Sequence, residues 1–569
     1  MKKLPTSVEN FEELIKGDYY YVDKSLLIKD IIDLPGKIKL ITRPRRFGKT
    51  LNMDMMLRFF SMEGGENLFE NLKIWKEKEI VKEHYHKYPV IYISFKSVKE
   101  NTWKNALDSI KNLIRELAKD MERHAADEDD ELYLRKIIKK EATEGDYKSF
   151  LKTTSKMVYK KTSVMPIILI DEYDVPIESA YLNRRKDPEY YDNMIDFMRA
   201  FLTSALKGSD TYFSFAVLTG VYRIAKESIF SGLNNLAVFT VFDEQLDDKY
   251  GFTENEVNKM LSYYNLTDKD KEIIDTWYSG YTIGEEHNLY NPWSVINYIS
   301  NRLSSKRPPY AHAKKYWVNT SENSIIKEQV KKSKEVHQDI LNLIAGKEIN
   351  KTLDTSISLV ELEKSEKGVW VLFASSGYLA PRYNYESKEA ENFYLKIPNE
   401  EIMRFFKESV QEWIKEKTGV DGSIVVEKIN EMIKEGRYEG FAIWLKEFLT
   451  SGLSYYDVAR NEAERFYKGF LLGMLAITIN GYMVESEMES GYGRLDVVIY
   501  PKDKSYGKYA AIFEVKRVEE GKLEEKAKEA LKQIKERKYY TKMKSLGYEV
   551  IGFGIAFCGK KVKISVERL

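Results

Sequence analysis

The sequence has little of what secreted, disulfide-stabilised or membrane-spanning proteins contain. Its single cysteine, Cys558, lies in an alternating apolar run, which excludes a disulfide framework and a zinc site built from cysteines. No window has the uninterrupted apolar length of a membrane helix, and residues 1–11 lack the apolar segment of a signal peptide. We therefore expect a cytoplasmic protein with no membrane partner.

Net charge is also nearly absent, at +1, but it is unevenly distributed along the chain. Residues 501–569 contain 18 Lys and Arg against 10 Asp and Glu, so this segment carries +8 and the rest of the chain −7. A basic end on a neutral chain is typical of a domain that binds a polyanion such as nucleic acid. Lysine-rich helices that are merely solvated explain the same pattern.

The remaining composition is that of a globular protein with several domains. The chain has 569 residues, 43% hydrophobic and 31% charged, which is too long for one hydrophobic core and predicts two to four domains. Between residues 35 and 240, short apolar runs alternate with longer amphipathic stretches, which predicts a mostly parallel sheet covered by helices. The apolar runs lie at 38–41, 90–95, 167–170 and 213–218.

We predict an α/β multidomain fold with four parts. They are a domain with a parallel sheet and helices at 1–250, a helical lid or adaptor at 251–345, a connector of mixed strands and helices at 346–455, and a small α/β domain at 456–569. In the last part the pattern indicates a helix at 461–479, strands at 495–500 and 510–515, a helix at 523–540 and a strand at 550–557. Elsewhere, the acidic run at 127–131 indicates a loop, and the runs at 369–373 and 394–397 indicate short strands.

A Gly-Lys-Thr turn follows the first predicted strand and precedes an amphipathic stretch. In this context, backbone N–H groups at the start of a helix bind phosphate, here in the loop formed by Arg46, Phe47 and Gly48. Lys49 would reach the β and γ phosphates of ATP, and the hydroxyl of Thr50 would bind Mg²⁺. A surface turn is the alternative interpretation.

The loop departs from the usual motif at one position. The motif begins with glycine where this chain has Arg43, which places the tight first turn in doubt. Together with Arg45 and Arg46, however, it supplies three positive charges beside the loop that could contact phosphate.

A second apolar strand, at 167–170, ends in two acids. Asp171 is positioned to hold Mg²⁺ and Glu172 to polarise a water molecule, as a nucleotide site requires. A third apolar strand ends at Thr219, the place where AAA-type enzymes sense the γ phosphate, and Arg223 follows one helical turn later. For Arg223, an ordinary surface salt bridge is an equal alternative. The combination predicts nucleotide binding more firmly than hydrolysis.

Two strands near the C-terminus carry a second set of candidate residues. Asp496 follows a glycine turn on one strand, and Glu514 and Lys516 lie on one face of the next, which is apolar on both faces before it ends. A buried carboxylate and ammonium there must be paired or metal-bound. Oxygen ligands suit Mg²⁺ or Mn²⁺, and this is the chemistry that phosphodiester hydrolysis needs. A structural ion pair between Glu514 and Lys516 is the alternative.

Two further elements could extend this site. Glu464, on the helix before the first strand, is a possible third metal ligand, although a solvated helix glutamate is as good an interpretation. The helix at 523–540 has Gln533 at the margin of its apolar stripe and a basic and aromatic remainder that could hold a phosphate backbone and stack a base. Its members are Lys532, Lys535, Arg537, Lys538, Tyr539 and Tyr540. Solvation of a helix surface explains them nearly as well.

Together these motifs resemble a known architecture, the AAA-ATPase-like proteins of bacteria and archaea that carry a C-terminal PD-(D/E)XK nuclease-superfamily domain. The resemblance covers nearly the whole chain. Its marks are Tyr-Val-Asp-Lys at 21–24, Arg-Pro-Arg-Arg-Phe-Gly-Lys-Thr at 43–50, Ile-Asp-Glu-Tyr-Asp at 170–174, Leu-Thr-Gly-Val at 218–221, Ser-Gly-Leu-Asn-Asn at 231–235, Tyr-Asn-Pro-Trp at 290–293, Ser-Gly-Tyr at 376–378, Gly-Arg-Leu-Asp at 493–496 and Glu-Val-Lys at 514–516.

The resemblance implies ATP binding and a restriction-endonuclease-like fold at the C-terminus. It implies Asp496, Glu514 and Lys516 as a catalytic set, with Gln533 matching the helix glutamine that often accompanies them. It also implies that arginine in place of glycine, here Arg43, is usual in the phosphate loop of this family. AAA relatives form rings, but nothing in this sequence fixes a subunit interface, so a homo-oligomer is an alternative that stays open.

Our first functional hypothesis is an ATP-controlled, metal-dependent nuclease acting on DNA, in defence or in a mobile element. The second is a nucleotide-dependent switch whose C-terminal domain binds nucleic acid or a protein without cutting. The third is an ATPase with no polyanion partner. The intact set of two acids and a lysine favours the first.

Overall fold

The structure is a computed structural model that describes most of the chain. The residues described are 1–63, 65, 67–208, 212–223, 229–230, 235–318, 324–332, 334–354, 366–418, 421–452, 468, 471–472, 474–475, 481–519, 521–559 and 561–569. They form two compact units. The first comprises Met1–Ser324 and Asn350–Glu401, and the second comprises Ile325–Ile349 and Ile402–Leu569.

The helices are distributed along the whole chain. They are α1 Phe11–Lys16, α2 Leu27–Asp33, α3 Lys49–Phe60, α4 Lys78–His84, α5 Trp103–Met121, α6 Glu128–Ile138, α7 Glu144–Lys148, α8 Phe150–Thr162, α9 Val175–Asn183, α10 Tyr190–Leu206, α11 Glu254–Tyr263, α12 Asp268–Tyr278, α13 Pro292–Leu303, α14 Ser324–Lys332, α15 Lys334–Ile344, α16 Glu366–Ser375, α17 Glu400–Thr418, α18 Gly422–Glu435, α19 Tyr438–Gly452, α20 Leu523–Glu536 and α21 Thr541–Ser545.

The strands fall into three sheets and one hairpin. They are β1 Ile38–Thr42, β2 Val90–Ser94, β3 Ile167–Asp171, β4 Ala216–Gly220, β5 Leu236–Phe239, β6 Tyr281–Ile283, β7 Glu286–Leu289, β8 Ile349–Thr352, β9 Ala380–Tyr383, β10 Asn392–Lys396, β11 Tyr482–Ser490, β12 Gly493–Pro501, β13 Tyr509–Arg517, β14 Glu549–Cys558 and β15 Lys561–Arg568.

The first unit is built on a five-stranded parallel sheet in the order β2-β3-β4-β1-β5. Every residue of β1, β3 and β4 is buried, as expected for central strands covered by helices on both faces. In register, Ile41 lies beside Thr219 and Ile170 beside Leu218, so β1, β3 and β4 end at one edge. Ligands of such sheets bind at the carboxyl ends of the strands.

The second unit contains a mixed sheet in the order β11-β12-β13-β14-β15. Strands β13 and β14 are parallel and joined through α20, and the other pairs are antiparallel. Helix α20 covers one face with Leu531 and Ile534, which belong to the same apolar cluster as Ile512. On the other face, Phe513 stacks on Phe553 at 4.7 Å between ring centroids. Strand β13 is therefore central and buried on both sides.

The two sheets confirm the predicted α/β class, with a parallel sheet at the N-terminus and a mixed sheet at the C-terminus. The four-part division with boundaries at 250, 345 and 455 is finer than the two units and stays a prediction. In the part of the chain that is described, no helix combines the length and the apolar character that crossing a bilayer requires.

Two local predictions are wrong. The acidic run at 127–131 is not a loop: Asp127 caps α6 by accepting a hydrogen bond from the N–H of Asp130, and the following acids form the first helical turn. Acids are stabilised there by the positive end of the helix dipole. The run at 369–373 is part of α16 and not a strand.

Seven strands of the described chain were not predicted, namely β5, the hairpin strands β6 and β7, β8, β9 and the two edge strands β11 and β15. The predicted helix at 461–479, with the candidate ligand Glu464, lies outside the described residues except for helical residues at 468, 471–472 and 474–475. The motif at 231–235 also lies outside them, except for Asn235.

Candidate nucleotide and nuclease sites

The loop between β1 and α3 has the backbone of a phosphate-binding turn. Gly48 caps α3 with φ +87°, and Arg46 has φ +66°, a left-handed conformation that residues other than glycine seldom adopt. The ammonium of Lys49 donates to the carbonyl oxygens of Arg43 at 3.1 Å and Pro44 at 2.9 Å. Burial lowers the pKa of Lys49. The ammonium therefore lies against its own loop, where a phosphate could replace the carbonyls.

Arg43 does not face this loop. Its side chain is fully buried, and its guanidinium donates to the carbonyl oxygens of five residues, which are Thr42, Phe239, Thr240, Gln245 and Leu246. Burial lowers its pKa to about 10. The expectation that Arg43 adds a charge contact to phosphate is wrong, because this arginine fastens the end of β1 to the segment after β5.

The other two arginines have different partners. Arg45 donates to both carboxylate oxygens of Glu178, at 2.6 Å each, and both side chains are nearly buried. Arg46 lies over the ring of Trp293, 4.4 Å from its centroid. Phe47 is 1% exposed and packs edge-on against Tyr281, so only its backbone can bind phosphate.

Asp171 and Thr219 meet where β3 and β4 end. Both are fully buried, and the hydroxyl of Thr219 donates to Oδ1 of Asp171 at 2.6 Å. Glu172 follows with φ +52°, a conformation that costs a non-glycine residue about 1 kcal/mol or more and that clusters at functional sites. Burial raises the pKa of Glu172 to about 7, opposed by Lys49 and reinforced by Asp171.

Asp174 is an acid of this site that the sequence reasoning missed. Its Oδ2 accepts hydrogen bonds from the N–H groups of Val221 at 2.7 Å and Tyr222 at 2.9 Å, which fastens α9 to the end of β4. Its Oδ1 is buried without a partner. Burial raises the pKa of Asp174 to about 6. Its place in the 170–174 motif was the available signal.

A cavity of about 460 Å³ opens over the loop, within the range of about 300–1,000 Å³ typical of small-molecule sites. Gly48, Lys49, Thr50 and Glu172 are among the residues that line it. Its lining also includes the apolar side chains of Pro5, Val8, Leu51, Trp293 and Ile296. Arg223 is half-buried three residues beyond β4 and is not among the described residues that line this cavity, so its role stays a prediction.

In the second unit, Asp496 and Glu514 lie on adjacent antiparallel strands, β12 and β13. Oδ2 of Asp496 accepts a hydrogen bond from the N–H of Val515 at 2.8 Å, which holds the carboxylate beside Glu514. Their side chains are 12% and 3% exposed. Burial, and then the negative charge of Asp496, raise the pKa of Glu514 to about 7.

Lys516 and Gln533 converge on the same carboxylate. The ammonium of Lys516 lies 2.9 Å from Oε1 of Glu514, and the side-chain amide of Gln533 donates to the same oxygen at 2.6 Å. The structure thus brings together all four residues predicted for this site in the described chain. The ion pair of Glu514 with Lys516, the alternative interpretation, is also present.

Lys468 is a further member that the sequence reasoning missed. Its ammonium lies 2.9 Å from Oδ1 of Asp496. A single lysine in an amphipathic helix carries no signal of its own, so only the three-dimensional arrangement shows it.

The donor set fits a divalent metal ion in part. Oε2 of Glu514 is buried without a hydrogen-bond partner, and a bound cation would satisfy this oxygen. Mg²⁺ is often held by only one or two carboxylates and keeps water as its other ligands. Across the described residues, no set of three or more His, Cys, Asp or Glu is arranged as a metal site. The third ligand that we predicted, Glu464, lies outside those residues.

The basic face of α20 is largely neutralised. Lys532 pairs with Glu536 at 3.4 Å, and Lys535 pairs with Glu567. Beyond the helix, Arg537 donates to the carbonyl of Tyr492 at 3.3 Å. The alternative interpretation, a solvated and salt-bridged surface, therefore describes much of this helix.

Comparisons with known proteins match both regions. A family model described as predicted AAA-ATPase matches residues 5–230, and one described as PD-(D/E)XK nuclease superfamily matches residues 462–567. An uncharacterized protein in the vnfD 5′ region of Azotobacter chroococcum mcd 1 is 26% identical over 565 residues, which cover 98% of this chain and 96% of that protein. A Walker-type ATPase of Pyrococcus abyssi matches 72% of this chain and 98% of its own, at 11% identity and a TM-score of 0.35. The chain thus joins a predicted AAA-ATPase domain at its N-terminus to a PD-(D/E)XK nuclease-superfamily domain at its C-terminus, as the motifs predicted.

Proposed function

We propose that this protein is a nucleotide-regulated, metal-dependent nuclease that hydrolyses phosphodiester bonds in DNA, in defence against foreign DNA or in a mobile element. One observation carries the proposal. Lys516 and Gln533 donate hydrogen bonds of 2.9 and 2.6 Å to Oε1 of the buried Glu514, whose Oε2 has no partner, and the N–H of Val515 holds Asp496 beside it at 2.8 Å. A buried group of this kind is costly to keep and is typical of a functional site.

The residues divide the chemistry among themselves. Asp496 and Glu514 would hold the metal ion, which stabilises charge on the phosphate and lowers the pKa of a bound water. Gln533 fixes the rotamer of Glu514 through Oε1, leaving Oε2 available. Lys516 is 30% exposed and its ammonium is held by the same Oε1, so it can orient the nucleophile and offset negative charge on the substrate.

The nucleotide site would bind ATP with Mg²⁺. Backbone N–H groups of Gly48 and its neighbours, together with Lys49, suit the phosphates, and Thr50 and Asp171 suit the metal ion. Glu172 is placed to polarise a water molecule. Apolar residues of the lining, such as Val8 and Trp293, suit the base. Nucleotide state would then change the population of the conformation that admits DNA.

The test is cleavage of supercoiled plasmid, single-stranded DNA and RNA with Mg²⁺ or Mn²⁺, each with and without ATP. We expect the wild type to cut DNA and Lys516→Ala to lose the activity. Lys528→Ala is the matched control, because Lys528 pairs only with Glu524 on the same exposed helix surface in the described contacts. Equal behaviour of wild type and Lys516→Ala on every substrate would refute the proposal.

A second candidate function has an observation in its favour. Among the described residues, the ammonium groups of Lys468 and Lys516 face the two carboxyl groups, so the charges balance without a metal ion when both carboxyl groups are ionised. Such a site suits a nucleotide-dependent switch that binds nucleic acid, or a protein, without cutting. Salt-dependent DNA binding that persists in Asp496→Ala, with no cleavage by the wild type under any metal, would favour this alternative.

A further inference from the structure

The ammonium of Lys468 pairs with Oδ1 of Asp496, a carboxylate oxygen that a metal ion would need as a ligand. Its ammonium lies 2.9 Å from Oδ1 of Asp496, whose other oxygen already accepts the N–H of Val515. Both side chains are mostly buried, at 28% and 12% exposure. At this distance and burial the attraction between the two charges is stronger than for a solvated surface pair.

Lys468 also changes the charge of the whole site. Among the described residues, the site contains two ammonium groups, of Lys468 and Lys516, and two carboxyl groups, of Asp496 and Glu514. When both carboxyl groups are ionised, the four charges balance. A divalent cation added to this set would create an excess of two positive charges beside the ammonium of Lys468, which opposes its entry.

We propose that Lys468 is a positioning residue that holds Asp496 when no metal ion is bound and competes with the ion for Oδ1. This inference rests on the proposed metal-dependent nuclease function. The lysine keeps two neighbouring carboxylates from repelling each other in the metal-free protein. It also weakens metal binding, because the metal ion can bind Oδ1 of Asp496 only after the ammonium of Lys468 has moved away.

The proposal makes opposite predictions for stability and metal affinity. Without Lys468, Asp496 keeps a mostly buried charge with one ion partner fewer, so the metal-free protein becomes less stable. The same loss removes a competing cation, so the metal ion binds more tightly. A side chain with a purely structural role would lower stability without raising metal affinity.

The experiment is isothermal titration of the full chain with MnCl₂, without nucleotide, for the wild type, Lys468→Met and Lys468→Gln. Lys528→Met is the matched control, and Asp496→Asn identifies which binding event belongs to the site. We expect Lys468→Met to bind Mn²⁺ about tenfold more tightly than the wild type, as the removal of one nearby charge predicts. Thermal unfolding in EDTA should show a lower transition temperature for Lys468→Met, and Mn²⁺ should restore it.

The outcomes separate the two proposals. If an Asp496-dependent Mn²⁺ site exists but Lys468→Met and Lys468→Gln bind no more tightly than the wild type, the role of Lys468 is refuted and the nuclease proposal stands. If the wild type shows no Asp496-dependent binding and neither Lys468 variant creates it, both proposals fall. Binding that appears only in the Lys468 variants supports the competition.

Discussion

Arg43 stands where a phosphate loop usually has glycine, and its side chain turns into the protein. Its guanidinium donates to five carbonyl oxygens, which lie in β1, at the end of β5 and in the segment after β5. The buried arginine therefore stabilises the loop through these hydrogen bonds. Glycine at this position would allow the tight turn but would supply no such donors. Charge at a site does not by itself indicate contact with a charged ligand.

This role predicts a loss of stability in Arg43→Gly. Several buried carbonyls would lose their donor, so the free energy of unfolding should fall by about 3 kcal/mol or more. Urea denaturation followed by circular dichroism measures this. Arg46→Gly is the matched control in the same loop, because a residue at φ +66° tolerates glycine. Equal unfolding midpoints for the two variants would contradict the account.

Lys49 carries the opposite kind of role. Its ammonium has only loop carbonyls as hydrogen-bond partners among the described contacts, and it lines the cavity. We expect Lys49→Ala to weaken ATP binding by about 10- to 100-fold, since charge-assisted hydrogen bonds contribute about 1.5–3 kcal/mol. Titration with a fluorescent ATP analogue measures the affinity, with the exposed Lys104→Ala as the control. Unchanged affinity in Lys49→Ala would exclude this loop as the phosphate site.

At the scale of elements, the start of α17 contributes a buried acid to the first unit. Glu401 is fully buried and accepts hydrogen bonds from the hydroxyl of Ser294 at 2.8 Å and from the N–H groups of Tyr316 at 2.6 Å and Trp317 at 2.9 Å. It thereby joins α13 to the segment after α13. Burial raises its pKa from 4.5 to about 7 in spite of these donors.

The raised pKa of Glu401 predicts a pH dependence of stability. Because the folded protein binds this proton more tightly than the unfolded chain, the contribution is fully present below pH 4.5 and is lost as the pH rises to about 7. The loss amounts to about 3 kcal/mol. The free energy of unfolding of the wild type, relative to Glu401→Gln, should therefore fall between pH 4.5 and 7. The neighbouring Glu400→Gln is the control, and parallel pH profiles for wild type and Glu401→Gln would contradict the prediction.

The elements that the sequence predicted well are those with a strong local signal. Apolar runs ending in a turn or an acid predicted β1 and β3, and the period of two predicted β13 with Glu514 and Lys516 on one face. The partners of these residues depend on distant parts of the chain. No sequence pattern indicates the ion pair of Lys468 with Asp496 or the hydrogen bonds of Arg43 with five carbonyl oxygens.

The errors have physical reasons. A short apolar run such as 369–373 has no period that separates a buried helix from a buried strand, and here the helix α16 forms. Strands β11 and β15 lie at the edges of their sheet and carry many charged residues, so their apolar signal is weak. The acidic run at 127–131 contains no apolar residue, which indicated a loop, but acidic residues are favourable in the first turn of a helix such as α6.

In the molecule as a whole, one chain carries a candidate nucleotide site and a candidate nuclease site in separate units. If the nucleotide site controls the nuclease site, a variant that no longer binds nucleotide should still cleave DNA but should no longer respond to ATP. We expect ATP to change the DNA cleavage rate of the wild type and to leave that of Lys49→Ala unchanged, with Mg²⁺ needed in both. Gel assays of plasmid cleavage at matched protein concentrations measure this. An equal response of both proteins to ATP would contradict nucleotide control through Lys49.

The proposed nuclease function depends on a metal ion held by Asp496 and Glu514 for phosphodiester hydrolysis. Its most direct test is single-turnover cleavage of DNA by the full chain in Mg²⁺, comparing the wild type with Asp496→Asn, which keeps the shape of the side chain and removes its charge. We expect cleavage by the wild type and a rate lower by about 100-fold or more in the variant, since even outer-shell partners of a metal ligand contribute about 10- to 100-fold. Equal rates in the two proteins would contradict it.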